Sequence, residues 1–495
     1  MFVNAALIAA ICIISGIVWN YCRRKFFPIK DIDLPGPKTI PKNLCSGTPD
    51  EILDNIFSLG RYYPSPFKMS VSISSLVVIY EQSQVKTVLK SPHCLNKGIL
   101  FKLASSTFGI RLFTAHESIW VRNRKIIAPF FSPTMLQEFF NIFVEQSLIL
   151  ANKLEKVGLN GKEITFLEHV TRSTLDIVCD SMGVKMESNK KDQYLKIVTR
   201  LKEIIKHRIY SIMMDNVLLF HNVIFNLTAL GREQQKLLKS LDCLINELHE
   251  LNKSHTTETK TDTNKRFLDI LMKLSKIHKT NVTQEMIYDN VIMLLLASDA
   301  ISITLDFVIF MLANFPEVQE KVYEELSEIY GTKTPMSVPV KHEDLQHMHY
   351  LDRVIKETMR LFPAIPLIDR KLTDDVRIDD VILPENTNVI LPLILMNRKE
   401  ECWPNPLKFD PDRFLPERIK DCLSCYHIPF GDGLRDCIAT KYAMISMKVI
   451  LATLVRTFVF KVDKRIQISS IKLTTDIILS TVKPLKVKIE KRNLE

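Results

Sequence analysis

Apolar residues recur at spacings of three and four along most of this chain, and stretches of strict alternation are few. From Asn141 to Leu251 the period is mostly helical. Ile119 to Phe131 and Ile438 to Val455 read as further helices. A long helix is expected to start at Thr283, a capping residue with Gln284 and Glu285 in the first turn, and to run to about Asn314, stopping before Pro316. Within it, Ile292 to Leu296 is apolar all round, which predicts burial. Val71 to Tyr80 is rich in Val, Ile and Ser and reads as strand, and Arg377 to Leu393 alternates and turns like a small sheet. Ser254 to Lys265 is polar without apolar anchors and reads as an exposed loop, after which Phe267 to Leu274 resumes helix. The fold class is therefore mainly α with small β-sheets, an α+β protein.

The N-terminus departs from this pattern. Phe2 to Tyr21 carries no charge and is dominated by Ala, Ile, Val and Leu. About twenty helical residues span about 30 Å, the hydrocarbon thickness of a bilayer. Arg23, Arg24 and Lys25 follow at once, with no positive side chain before the span, so the rest of the chain is expected on the cytoplasmic side. A cleaved signal peptide would carry its charge first and small residues at the cut. Leu34-Pro35-Gly36-Pro37 then breaks helix and stiffens the chain. The expected organisation is an N-terminal transmembrane helix at 1–22, a basic and proline-rich hinge at 23–40, and one globular body at 41–495.

Composition narrows the partners. The 66 Lys and Arg against 56 Asp and Glu leave a formal charge of +10. No compact basic and aromatic module supports nucleic acid, so anionic lipid or an acidic protein partner fits the charge better. The ten cysteines are scattered, as in a reducing compartment. Cys422 and Cys425 form one close pair with no second pair spaced for zinc.

The densest chemistry lies at Phe430-Gly431-Asp432-Gly433-Leu434-Arg435-Asp436-Cys437-Ile438-Ala439. Cys437 follows a glycine turn at the start of a helix, where unpaired N–H groups favour a thiolate. Phe430 can shield that sulfur, Gly431 and Gly433 allow close approach of a flat ligand, and Arg435 suits a carboxylate. These parts fit a thiolate beneath a haem with an arginine on a propionate, and the ten residues resemble the haem-binding loop of the cytochromes P450. Other stretches carry the same resemblance. Trp120 and Arg124, four apart, share one helix face and can both donate to a propionate, as in the family's C-helix. Ala297-Ser298-Asp299-Ala300 resembles the centre of its I-helix. Glu357-Thr358-Met359-Arg360 read alone is a surface pair. With Phe409-Asp410-Pro411-Asp412-Arg413-Phe414 it resembles the family's buried network, in which Glu357, Arg360 and Arg413 would fix the haem-side core.

The resemblance implies a P450 fold and haem b with Cys437 as axial ligand, a haem-thiolate whose electron donation favours O–O cleavage. It implies cofactor contacts from Cys437, Arg435, Trp120, Arg124, Arg370, Phe430 and Gly433. Ala364 to Ile368 would line the substrate pocket, and Ile212 to Leu230 would form a lid touching the membrane. The partners implied are NADPH–cytochrome P450 reductase, with cytochrome b5 as a second electron donor, on the endoplasmic reticulum membrane. Arg435 and Lys441 are candidates for docking the reductase. Five departures stand out. Ala297 replaces a glycine, and Ala300 and Ile301 replace two threonines, so proton delivery is left to Asp299 and water. Leu434 and Ala439 replace a proline and a glycine of the haem loop. The surroundings of Arg124 and Arg360 look most like the fatty-acid ω-hydroxylases and their insect relatives. Three functions follow: hydroxylation of a lipophilic substrate with O2 and NADPH-derived electrons; isomerisation or dehydration of lipid peroxides, for which Ala300 is no handicap; or non-catalytic binding of haem or lipid.

Overall fold

The computed structural model describes residues 33–37, 48–71, 74–108, 114–213, 216–254, 284–421 and 426–492. The expected membrane anchor, most of the hinge, Thr283, the polar loop after Ser254, the helix at Phe267, and Cys422 and Cys425 lie outside them. About 62% is helix, with small sheets. The helices of nine residues or more are α1 (Ile52–Tyr62), α2 (Gln82–Lys90), α3 (Ile99–Phe108), α4 (Glu117–Ile127), α5 (Pro133–Gly158), α6 (Phe166–Met182), α7 (Ser188–Met213), α8 (Ala229–Ser254), α9 (Gln284–Asn314), α10 (Pro316–Tyr330), α11 (His349–Leu361) and α12 (Thr440–Thr457).

Helix α9 is the axis of the fold. From Ile301 to Ala313 every residue is buried, because its sequence is apolar on all sides. It packs along α6, with α11 and α12 also against it. By length and hydropathy its Asn290–Asn314 portion could cross a membrane, but 78% of its most apolar window is buried inside the protein. It is a core helix.

Strands β1 (Phe67–Val71), β2 (Ser74–Val78), β3 (Leu367–Lys371) and β6 (Asn388–Pro392) form one sheet in the order β1-β2-β6-β3. The β2–β6 pair is parallel and the others antiparallel. The single strand expected over Val71 to Tyr80 is instead the end of β1 and the whole of β2, a hairpin. The strand-forming residues run on both sides of the turn, so composition alone did not mark it. Short pairs β4 (Val376–Ile378) with β5 (Val381–Leu383), β7 (Phe458–Lys461) with β10 (Lys488–Lys491), and β8 (Leu473–Thr475) with β9 (Leu479–Thr481) complete the sheets. In the hinge, Pro35 O accepts from Lys68 N at 2.7 Å. Gly36 has φ +150°, and a Cβ there would lie 1.9 Å from Lys68 O, so only glycine lets the hinge lie against β1.

Candidate active site

Cys437 sits three residues before α12, so that helix begins slightly later than its apolar run suggests. Its N–H donates to Phe430 O at 2.8 Å and closes the loop. Gly431 and Gly433 have φ of +77° and +72°. A Cβ on Gly433 would lie 2.1 Å from Leu89 O, which explains that glycine. Asp432 accepts from Gly433 N at 2.6 Å and from the Tyr426 hydroxyl. Cys437 is exposed by area, yet burial raises its thiol pKa, opposed by the Ala439 N–H and the Thr440 side chain. A sulfur both accessible and enclosed faces an internal space. Burial is thus the largest effect on this thiol and works against the helix terminus expected to favour a thiolate.

On α9, Ala297 is exposed although its neighbours Ser298 and Asp299 are buried. It too faces an internal space, with Leu296 and Ala300 partly accessible on either side. The nearby hydroxyls are turned back into the helix: Ser298 Oγ donates to Leu295 O at 2.7 Å, Ser302 Oγ to Asp299 O at 2.9 Å, and Thr304 Oγ1 to Ala300 O at 2.8 Å. None stands in for the threonines that Ala300 and Ile301 replace. Asp299 is 9% exposed and forms an ion pair with Lys202 of α7.

A cationic group gathers beside the cysteine loop. Arg435 turns inward, donates to Ala115 O at 2.5 Å and lies 4.5 Å over the Trp120 ring. Burial, then Arg370, push its pKa down to about 9. Arg370 of β3 is 3% exposed, and burial lowers it to about 10. Lys97 lies well below the usual lysine range through burial and then Arg370, with Arg435 adding to it. Asp369 opposes both Lys97 and Arg370, and its carboxylate also accepts the Leu100 and Phe101 N–H groups at 2.8 and 3.2 Å, at the start of α3. Arg370, with Arg435 and Lys97 each lowered by burial and then by Arg370, makes a cationic group that suits a flat ligand with two carboxylates. The sulfur, the glycines and this cationic group together fit a haem. Lys97 and Asp369 were missed in the sequence, since neither lies in a motif and only β3 packing on α3 brings them together.

Arg124 is placed differently from the expectation. It shares a face with Trp120, at 5.6 Å, but pairs with the Asp436 carboxylate and donates to Asp436 O at 2.7 Å. It pins the cysteine loop to α4 rather than reaching towards a ligand.

Glu357, Arg360 and Arg413 come together. Arg360 donates to Glu357 through Nε at 2.6 Å and Nη2 at 2.9 Å, and both side chains are 0% exposed. Arg413 Nε lies 3.3 Å from Glu357 Oε1, and the Asp410 N–H donates to the same oxygen at 3.0 Å. Arg360 also donates to Asn397 O and Pro406 O, each at 2.8 Å. These bonds tie α11 to the segment that leads into the cysteine loop.

An apolar cavity of about 110 Å³ lies among α1, α3, α7 and the four-stranded sheet. Its walls include Leu103 of α3, Ile209 and Met213 of α7, Phe220, Leu367 of β3 and Ile477. Leu367 comes from the expected pocket segment, and Ala364 of that segment accepts Leu479 N at 2.8 Å. Arg208 of α7, 2% exposed, donates to Leu219 O, Ser106 Oγ, Phe220 O and Asn222 Oδ1 at 2.8 to 3.1 Å and ties α7 to the segment that follows it.

Comparison with known proteins agrees with this geometry. The cytochrome P450 family model matches residues 34–489. Cytochrome P450 4c21 of Blattella germanica is 31% identical over 460 residues, covering 90% of this chain and 88% of its own. Cytochrome P450 4V2 of Mus musculus is 29% identical over 454 residues, covering 87% and 84%. Cytochrome P450 4c3 of Drosophila melanogaster is 28% identical over 504 residues, covering 96% and 92%. With Cys437 closing a glycine loop, a cationic group beside that loop and a match over nearly the whole chain, this protein belongs to the cytochrome P450 family of haem-thiolate monooxygenases.

Proposed function

We propose that the protein hydroxylates a lipophilic, fatty-acid-like substrate, with O2 as oxidant and electrons from NADPH delivered by a membrane-bound reductase. The bound haem would supply activation of dioxygen at its iron. The chain's own residues do the rest. Cys437 would hold the iron, and Phe430 and Gly433 shape the loop around the sulfur. Arg435, Arg370 and Lys97 would receive the propionates, with Trp120 stacked against Arg435. Arg124 fixes the loop through Asp436. Glu357, Arg360 and Arg413 hold the scaffold and take no part in the chemistry. Ala297 and Ala300 leave the opposite face smooth, and Asp299 is the acid nearest to it. The apolar cavity takes the substrate, excluding water and orienting the chain to be oxidised.

Arg435 is too far inward to dock a partner, so that role moves to exposed neighbours such as Lys441 and Leu434. The anchor at 1–22, the hinge at 23–40 and the body at 41–495 would place the enzyme on the endoplasmic reticulum membrane, facing the cytosol.

The observation that carries the reading is Cys437, enclosed yet accessible beside the cationic group. Reduced, carbon-monoxide-treated holoenzyme should show the red-shifted thiolate band, and Cys437→Ser should abolish it. Turnover of an apolar probe such as dodecanoate should need both reductase and NADPH. Conversion of a lipid hydroperoxide without NADPH, and no such dependence, would replace hydroxylation with isomerisation.

A further inference from the structure

The apolar cavity is uniform almost all the way round. Among the described residues, every side chain that lines it is apolar except two, Thr475 and Asp476. These two are neighbours. Thr475 ends β8 and pairs with Leu479 of β9, so residues 476–478 form the turn between the strands. The polar part of the wall is therefore a single spot, and it decides where the polar group of a ligand can sit.

The hydrogen bonds of that spot show what it can still do. Thr475 Oγ1 donates to Ile478 O at 3.3 Å, so its proton is used inside the turn. Asp476 Oδ1 accepts the Ile478 N–H at 3.3 Å, which holds the carboxyl group in place. Among the described residues Asp476 has no ion pair. Lys202 and Lys206 of α7 pull on it from further off, but they are paired with Asp299 and Asp50. Burial is the largest effect on Asp476 and raises its pKa. A carboxyl group set in an apolar wall is costly to desolvate unless something donates to it. A ligand hydroxyl supplies that donor. A ligand carboxylate brings only acceptors and a second acid to bury beside the first. It would need a cation, and no lysine or arginine among the described residues lines the cavity. Arg208, next to Ile209 of the wall, already donates to four acceptors.

We propose that Asp476 is a specificity-determining residue that accepts a hydrogen bond from a hydroxyl group on the substrate, so that the cavity selects lipid alcohols over fatty acids of the same length. The apolar walls take the chain and set no chemical preference along it. The choice is made where the ligand meets the β8–β9 turn. The inference deepens the hydroxylase reading and rests on it only for the cavity being where substrate binds.

The test is binding of 1-decanol, its methyl ether 1-methoxydecane and decanoate to the full-length, haem-loaded protein in detergent, by equilibrium dialysis and by the haem absorption shift. The ether keeps the chain and the oxygen but has no proton to donate. Comparing each ligand between wild type and variant cancels its partition into detergent. Asp476→Leu should weaken 1-decanol about tenfold or more, the effect of losing one hydrogen bond to a buried carboxylate, and leave the ether within about twofold. Asp476→Asn, which offers an amide donor, should shift the ratio of decanoate to 1-decanol affinity about tenfold towards decanoate. Unchanged 1-decanol affinity in Asp476→Leu overturns the proposal. An equal loss for the ether also overturns it, because that marks a change of cavity shape. If Asp476→Leu does not retain haem, the ratio in Asp476→Asn decides alone, and an unchanged ratio overturns the proposal. Failure of wild type to bind 1-decanol overturns it too. Binding of 1-decanol that depends on Asp476, without turnover dependent on reductase and NADPH, supports the alcohol seat and refutes the hydroxylase reading.

Discussion

Glu357 offers a quantitative test of the scaffold. Its carboxylate faces Arg360 and Arg413 and accepts the Asp410 N–H, with no exposure to solvent. Burial raises its pKa, against the pull of Arg360. The desolvation of this group therefore outweighs its attraction to the arginines, and the ion pair as a whole adds little stability over an apolar pair of the same volume. Losing one partner is another matter. Glu357→Gln leaves the buried Arg360 without a carboxylate, and such a loss typically costs about 3–5 kcal/mol. Arg360→Met strands Glu357 and opens the bonds to Asn397 O and Pro406 O, at a similar cost of about 3–5 kcal/mol. The double variant Glu357→Gln/Arg360→Met should cost less than the two single changes together, by about 2 kcal/mol or more. Urea unfolding of the holoenzyme, fitted for each variant at one pH, gives these differences. The same samples should lose haem in the single variants before they lose helix, because Arg360 anchors the segment that leads to Cys437. Additivity of the two single effects within about 0.5 kcal/mol would refute the coupling. So would a Glu357→Gln protein that keeps its haem with a loss below about 1 kcal/mol.

Two further outcomes are expected. Gly433→Ala puts a Cβ 2.1 Å from Leu89 O at a φ of +72°, so the loop must shift; we expect about 2 kcal/mol or more of destabilisation and weaker haem retention, measured by unfolding and by titration of the apoprotein with haem, and unchanged haem affinity would refute it. Asp306 on α9 is 3% exposed, and burial raises its carboxyl to about 7 against the pull of the Leu167 N–H. Its folded pKa lies above the unfolded value, so its stabilising contribution is full below about pH 4 and is lost as pH rises through about 7. The loss is on the order of 4 kcal/mol at most, and Asp306→Asn should flatten that part of the stability curve between about pH 4 and 7 in thermal melts; identical slopes for the two proteins would refute the assignment.

The local chemistry of this protein was legible in its sequence because it depends on neighbours along the chain. The glycines around Cys437 and the all-round apolarity of Ile292 to Leu296 each predicted their surroundings, whereas the four-residue spacing of Trp120 and Arg124 gave their shared face but not the partner of Arg124, Asp436. Two of the departures, at Ala297 and Ala300, were visible in the same way. Glu357 and Arg360 illustrate the limit. Three residues apart on a helix, they could equally have been a surface pair, and the resemblance supplied the burial that spacing could not.

What tertiary structure decided was the partner of each charge. The sequence contains Asp436, Asp369 and Lys202, but nothing near them along the chain assigns Arg124 to Asp436, Lys97 to Asp369, or Lys202 to Asp299. Those pairings link positions as many as 312 residues apart, where helix α7 meets α9 or the cysteine loop meets α4. Electrostatic energy depends on distance and burial, and both are fixed only once the helices have packed. The periodicity of the side chains therefore determined which elements form, and their packing determined which acids and bases face one another within them.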